Sequence, residues 1–325
     1  MFLFCRPLLA ADLRMISNQT RGICLALLAG LCWGIMSVVA QHLFSNLGFK
    51  PSDLVSVRLL ASGAILIVTE YFLQRRDVVR PVFTRENFPS VLLYGAGVLT
   101  GQYSLFLAIS YTNAGTATVL LTTVPLLILL WLAFREGRRI MPHELFCFAS
   151  ALFGVGCLVT KGDLSTLDFS FVGAGFALLS AAAGAFTTIQ PQKLLHRIGP
   201  GLTSGWGLLA GGCLISLVDP PWAADVVWSF EAIVSCLVII VVGTVLAFRC
   251  FLASTKLISP AVSGLLLSSQ PLSAVVLSSL FLGVTFGPWE LVGAGAVLLN
   301  LVILSLNRPK RAPQPAAETE KSAEA

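Results

Sequence analysis

The fourth apolar run of the chain reads Thr122-Thr123-Val124-Pro125-Leu126, and 146 residues further on the ninth reads Ser268-Ser269-Gln270-Pro271-Leu272. Each is a proline preceded by hydroxyl or amide side chains inside a long apolar stretch. The same offset pairs Gly97 with Gly243, Pro142 with Pro288 and Glu144 with Glu290. One offset that serves four landmarks over three runs marks an internal duplication. Towards the start, Ala26-Leu27-Leu28-Ala29 matches Ala177-Leu178-Leu179-Ser180 at an offset of 151. Ser56-Val57-Arg58-Leu59-Leu60 lies over Ser204-Gly205-Trp206-Gly207-Leu208 at 148.

The composition says what solvent these runs face. Of 325 residues 56% are hydrophobic and only 11% charged, and the mean hydropathy is +0.86. Soluble domains carry about a quarter charged residues, so a surface this poor in charge belongs in lipid. About 20 apolar residues cross a bilayer as a helix. Ten runs qualify: 22–44, 52–73, 89–110, 113–134, 143–161, 170–192, 201–218, 231–254, 259–282 and 287–306. The expected organisation is a cytoplasmic segment 1–21, a five-helix repeat 22–162, a second 163–307 and a disordered cytoplasmic tail 308–325. The tail holds Pro, Ala, Glu and Lys and too little apolar surface to form a core. Met1 to Ala10 is broken by Arg6 and Pro7 and has no persuasive cleavage site, so the first helix is expected to stay.

Orientation follows from Lys and Arg, which favour the cytoplasmic side. With the N-terminus inside, 17 of the 21 fall in inward segments and Lys50 and Lys161 alone in outward loops; Arg58 and Arg249 lie within spans. A missed helix would scramble this alternation. Both termini are therefore expected in the cytoplasm and the protein in the inner membrane. Because five is odd, the second repeat enters from the opposite face. The fold class is an all-α integral membrane protein of ten transmembrane helices in two inverted repeats. Inverted repeats build many secondary transporters, with the substrate near the midplane between the halves.

Two five-helix halves, Trp33-Gly34 in the first helix, Arg58 early in the second, proline-broken fourth and ninth helices, and Pro-x-Glu opening the fifth and tenth together resemble the drug/metabolite transporter superfamily, EamA type. The likeness runs over about residues 20–306. It implies a proton-driven exporter or exchanger of amino acids, other metabolites or drugs. The sequence departs from that pattern at Leu282-Gly283-Val284 and Arg135-Glu136-Gly137, where many members carry Leu-Gly-Glu.

Charges within spans are costly and usually face a cavity or snorkel to the interface. Arg58 lies six residues after Ser52, roughly 9 Å along the helix at 1.5 Å per residue. Its guanidinium suits a carboxylate or phosphate; the alternatives are snorkelling or capping a neighbouring helix. Arg249 stands seven residues before Lys256 on one helical face, which favours snorkelling. Neither has a carboxylate four residues away, so a buried arginine would find its partner on another helix, on backbone carbonyls or on a ligand.

The kinks at Pro125 and Pro271 free backbone carbonyls and act as expected helix hinges. Beside them Thr122, Thr123, Ser268, Ser269 and Gln270 offer polar groups, either to a solute or to the kink itself. Ser263, Gln270 and Ser273 share one face of the ninth helix. Trp33, Gln102, Tyr103 and Gln190 complete the candidate substrate-binding set. Glu144 and Glu290, each two residues after a proline, suit helix N-termini. Glu70 lies near the cytoplasmic end of the second helix, close to Arg75 and Arg76, as an interfacial ion pair or a proton site.

The eight cysteines include no Cys-x-x-Cys pair and read as packing residues. The three histidines, His42, His143 and His196, have no metal-ligand spacing. No cofactor and no metal are expected. The basic residues sit in short clusters without a basic domain, so nucleic acid is not a partner. A membrane-embedded enzyme would need clustered acid, base or nucleophile, and the usual motifs are absent. The expectation is a non-enzymatic secondary transporter of a small polar or amphipathic metabolite such as an amino acid. It would export or exchange by alternating access, with the bilayer as partner and proton coupling open. A membrane-embedded enzyme or a drug-efflux protein is the alternative.

Overall fold

The computed structural model describes residues 18–136 apart from 75–76, residues 170–258 apart from 224–225, residues 269–306, and isolated positions within 142–157 and 266–267. The expected N-terminal segment 1–21 lies almost wholly, and the tail 308–325 entirely, outside the described residues, as do Glu144, Ser263, Ser268 and most of the fifth span.

Lipid cannot satisfy backbone polar groups, so apolar runs this long close their own hydrogen bonds as helices. In chain order these are α1 (Asn18–Asn46), α2 (Pro51–Gln74), α3 (Asn87–Tyr111), α4 (Ala114–Leu121), α5 (Val124–Glu136), α6 (Ser170–Ile189), α7 (Gln192–Ile198), α8 (Pro200–Ser216), α9 (Phe230–Leu237), α10 (Ala247–Leu257), α11 (Ser269–Leu282) and α12 (Pro288–Leu306). A π-helical segment, Val238–Leu246, joins α9 to α10 without a break. The fourth run is split into α4 and α5 at Thr122–Thr123, because a proline at 125 has no N–H to give the preceding turn. Pro271 likewise falls in the first turn of α11, after a turn at Leu267, and a donor missing from a first turn costs nothing. Between α7 and α8 the chain turns by 118° on Gly199, whose φ of +85° suits a residue without Cβ, and Pro200 opens the new helix.

The helix ends are capped as their sequences suggest. Asn113 accepts the Thr116 N–H at 2.8 Å, and Gln41 of α1 reaches across to accept the Ala114 N–H at 2.8 Å. Ser229 accepts from Ala232 at the start of α9. Glu290, third residue of α12, turns back to accept the Gly287 N–H at 2.8 Å, the carboxylate half of a capping box.

The packing follows the duplication. In the first repeat α1 packs on α10 and α11 of the second; in the second, α6 packs on α3, α4 and α5 of the first. α2 meets the π segment, and α8 meets α3. Pairs on the pseudo-axis pack on each other: α2 on α8, and α4 on α11. On the fifth and tenth spans, Ser150 donates to the Ala296 carbonyl at 3.3 Å, again 146 residues apart. The glycine landmarks explain themselves here. A Cβ on Gly97 would strike Phe186 at 2.7 Å, and one on Gly243 would strike Met36 at 2.5 Å. Met36 and Phe186 are 150 residues apart, within one residue of the 151 offset between the duplicated α1 and α6. Small residues are what let membrane helices approach this closely.

Side-chain contacts define two end faces. At the expected outer face His42 Nε2 lies 2.8 Å from Glu231 Oε1, and Phe49 meets Trp228 edge to face. At the expected inner face, Glu70 lies against Gly201 in the first turn of α8, where negative charge is favourable. There residues 77–86 fold back over the helix ends. Val78 and Val82 are buried with Leu194, Ile198 and Leu202. Trp206, the repeat counterpart of Arg58, donates its indole N–H to the Val78 carbonyl at 2.9 Å and packs edge to face on Phe83. Trp206→Phe, which deletes that N–H and keeps an aromatic ring, is expected to cost about 1 kcal/mol in thermal unfolding.

Asp77 caps the same segment by accepting the Val79 and Arg80 N–H groups. Those two bonds hold its carboxyl below the usual carboxylate range. A lowered value in the folded state means the cap is fully present above the ordinary carboxylate pKa and is lost as pH falls through the lowered one. Asp77→Ala is therefore expected to lower the unfolding temperature slightly at neutral pH, with the difference from wild type closing in acid.

Candidate substrate-binding site

Arg58 enters the bundle from the second turn of α2. Its side chain is 1% exposed, so it does not snorkel. Two of its nitrogens are engaged by other helices. Nε donates to Thr244 Oγ1 at 2.9 Å and Nη1 to Gln102 Oε1 at 2.7 Å. Its Cζ stands 5.2 Å from the centroid of the Phe106 ring, one turn along α3 from Gln102. The third nitrogen, Nη2, is buried without a hydrogen-bond partner. Arg58 forms no ion pair with a carboxylate among the described residues.

The π segment puts Thr244 in position. An extra residue per turn rotates the side chains that follow, and such bulges recur at functional sites. Thr244 Oγ1 donates to the Ile239 carbonyl five residues back at 3.0 Å, which leaves its lone pairs to accept from Arg58. On α2, Ser62 follows Arg58 by four residues and so lies on the same stripe. It is 0% exposed and its hydroxyl has no partner. Arg58, Ser62, Gln102 and Phe106 come from the first repeat and Thr244 from the second.

A buried cation held between two halves of a duplicated helical membrane protein narrows the relatives to compare. The model of the EamA-like transporter family matches residues 20–160 and 171–306, one copy for each half. The chain belongs to the EamA-like transporter family. It is 30% identical over 298 residues to an uncharacterized inner membrane transporter, YicL, of Salmonella typhimurium, covering 91% of this chain and 99% of that one. It is 25% identical over 261 residues to the threonine/homoserine exporter RhtA of Escherichia coli, covering 80% and 83%. A solved structure, 16% identical, superposes with a TM-score of 0.60 over 88% of this chain and 96% of the other, which speaks to the fold alone.

In this EamA-like chain the remaining candidates are distributed. Thr122 and Thr123 donate to the Val119 and Leu120 carbonyls, inside their own chain break. Ser269 donates to the Leu266 carbonyl at 2.8 Å and lies 3.4 Å from the Leu27 carbonyl of α1. The Gln270 carbonyl accepts from Ser273 at 2.9 Å. Both serines press on glycines of α1, Gly30 and Gly34. Trp33 packs on Phe248 and Phe251 of the eighth span, and Tyr103, half-buried, packs against the main core. Arg249 is half-buried and makes no hydrogen bond or ion pair with another described residue. Gln190 sits at the expected inner end, donating to the Ser90 carbonyl at 3.2 Å with a buried, unpartnered Oε1.

Arg58 and Gln102 are thus brought together, while Gln190 stands apart from them. Sequence reading missed Ser62, Phe106 and Thr244. The signal for the first two was helical spacing, four residues on from Arg58 and from Gln102. For Thr244 it was a lone hydroxyl beside the repeat landmark Gly243.

Proposed function

We propose that this chain is a secondary transporter that exports or exchanges a small polar or amphipathic metabolite, with amino acids the leading class, across the inner membrane by alternating access. The observation that carries this reading is the Arg58 cluster, whose hydrogen bonds tie α2 and α3 of one repeat to the eighth span of the other. Rocking one repeat against the other changes those distances, so a solute held there is coupled to which side is open. The name of the E. coli relative, a threonine/homoserine exporter, supports amino acids. The name of the Salmonella relative supports the inner membrane. The excess of Lys and Arg on one set of loops supports cytoplasmic termini. Proton coupling is carried by the resemblance; Glu70, against the first turn of α8, is the carboxylate we assign to it.

The test is uptake of a labelled amino-acid and metabolite panel into proteoliposomes, with and without a pH gradient. Saturable, time-dependent accumulation of a panel member supports the reading, and acceleration by the gradient supports proton coupling. Chemical turnover of the same solutes by protein in detergent, with no compartment, would overturn it in favour of an enzyme.

A further inference from the structure

We propose that Arg58 Nη2, with the Ser62 hydroxyl beside it on α2, is the contact for the carboxylate of the transported solute, which is therefore a monocarboxylate and not a phosphate ester or a cation. The inference rests on the transporter reading and adds the chemical class of the cargo.

Three observations carry it. First, a guanidinium has five N–H donors in a planar fork that matches a carboxylate. Here Thr244 and Gln102 occupy Nε and Nη1 and fix the plane, and Nη2 is left with its donors unmet in a buried site. Second, buried serines elsewhere in this chain give their hydroxyls to carbonyls of their own helix, as Ser56 and Ser278 do. Ser62 does not, although the carbonyl four residues back is that of Arg58 itself. Two unmet polar groups one helical turn apart on one stripe are a recognition surface, because burying either without a partner is costly. Third, Arg58 is the one buried Lys or Arg among the described residues. A single negative charge neutralises it, whereas a dianionic phosphate would leave a net negative charge in low dielectric and a cationic solute would add like charge.

The test uses the full chain, purified in detergent, and reads its thermal unfolding against solutes matched except for the carboxylate. The pairs are L-threonine and L-threonine amide, L-lactate and lactamide, and benzoate and benzamide, with inorganic phosphate as a further arm. At least one carboxylate is expected to raise the unfolding temperature while its amide does not. Arg58→Gln should weaken that binding by roughly thirtyfold or more, as removal of one partner from a buried charge pair does. Ser62→Ala should weaken it roughly fivefold, the worth of one hydrogen bond. Arg58→Lys, which keeps charge but loses the fork, should fall between wild type and Arg58→Gln.

The assignment is overturned if amides or phosphate stabilise the wild type as well as carboxylates do, if carboxylate binding survives Arg58→Gln, or if no carboxylate stabilises the wild type. The amide pairs decide the matter on wild-type protein alone, whatever the variants do to folding. Counterflow in proteoliposomes separates the two readings. A carboxylate that binds through Arg58 but is never carried overturns the transporter reading and leaves the site. A neutral solute carried equally by wild type and Arg58→Gln overturns the site and leaves the transporter.

Discussion

Arg58→Met is expected to abolish uptake while leaving the protein in detergent at least as heat-stable as the wild type. Opposite signs in the two measurements are the signature of a group held for a ligand. The effective desolvation cost of one buried ion is several kcal/mol. Against it stand two hydrogen bonds, to Gln102 and Thr244, each about 1.5–3 kcal/mol when one partner is charged, and the Phe106 face at up to about 2 kcal/mol. These offset the cost roughly, with Nη2 still unmet, so the fold gains little from the charge. Methionine fills similar volume with no ion to desolvate. The acceptors it leaves are Gln102, which is only part-buried, and Thr244, whose hydroxyl keeps its bond to the Ile239 carbonyl, so the loss on that side is small beside the desolvation removed. A solute that has lost its buried charge partner gives up about 2–5 kcal/mol, enough to take initial uptake rates below detection at micromolar substrate. Unfolding temperature and uptake should be measured on the same preparation. If both fall together, Arg58 is a structural post and the site lies elsewhere.

What the sequence made legible, and what it hid, divides along the distance over which information acts. The spans, the alternation of basic loops and the duplication are one-dimensional patterns that each repeat enforces on itself. Glu290 at a helix N-terminus was equally local and is found turned back onto Gly287. The landmarks Gly97 and Gly243 could be paired from the sequence, but not what they were for. Only the fold brings Phe186 and Met36 onto them. The partner of Arg58 was legible as a class, since no carboxylate stood one turn away, yet Thr244 depends on a π segment. Nothing local distinguishes Val238–Leu246 from an ordinary apolar helix, because an extra residue per turn is stabilised by what the helix packs against. The duplication itself misleads at one point. Trp206 occupies the place of Arg58 in the second repeat and does different work, packing under the loop at Val78 and Phe83, because the two inverted halves need not recognise the same thing.

The crossing of α2 and α8 is where substitution should be least tolerated. Gly63→Val is expected to leave no recoverable folded protein, and Gly63→Ala to lower stability by about 1–3 kcal/mol, the usual cost of overpacking. A Cβ at position 63 would lie 2.6 Å from the Leu209 nitrogen, 2.9 Å from its Cα and 3.0 Å from the Gly205 carbonyl oxygen. From the other side, a Cβ at Gly212 would lie 2.8 Å from the Leu60 nitrogen. Every one of these is a backbone atom, so no rotamer change relieves the clash and the two helices must separate. Separation of α2 from α8 also moves Arg58, five residues away on α2, relative to Thr244 on the eighth span. Gly63→Ala should therefore lose transport out of proportion to its loss of stability. Gly175→Ala supplies the control. Nothing lies within 4 Å of its added methyl, and alanine is favoured over glycine within a helix by up to about 1 kcal/mol, so this variant should be as stable as wild type or slightly more. The readouts are monodisperse yield, unfolding temperature and uptake for all three. Wild-type behaviour of Gly63→Val would mean that the repeats do not meet along α2 and α8 at this distance, and the geometry that sets Arg58 between them would fall with it.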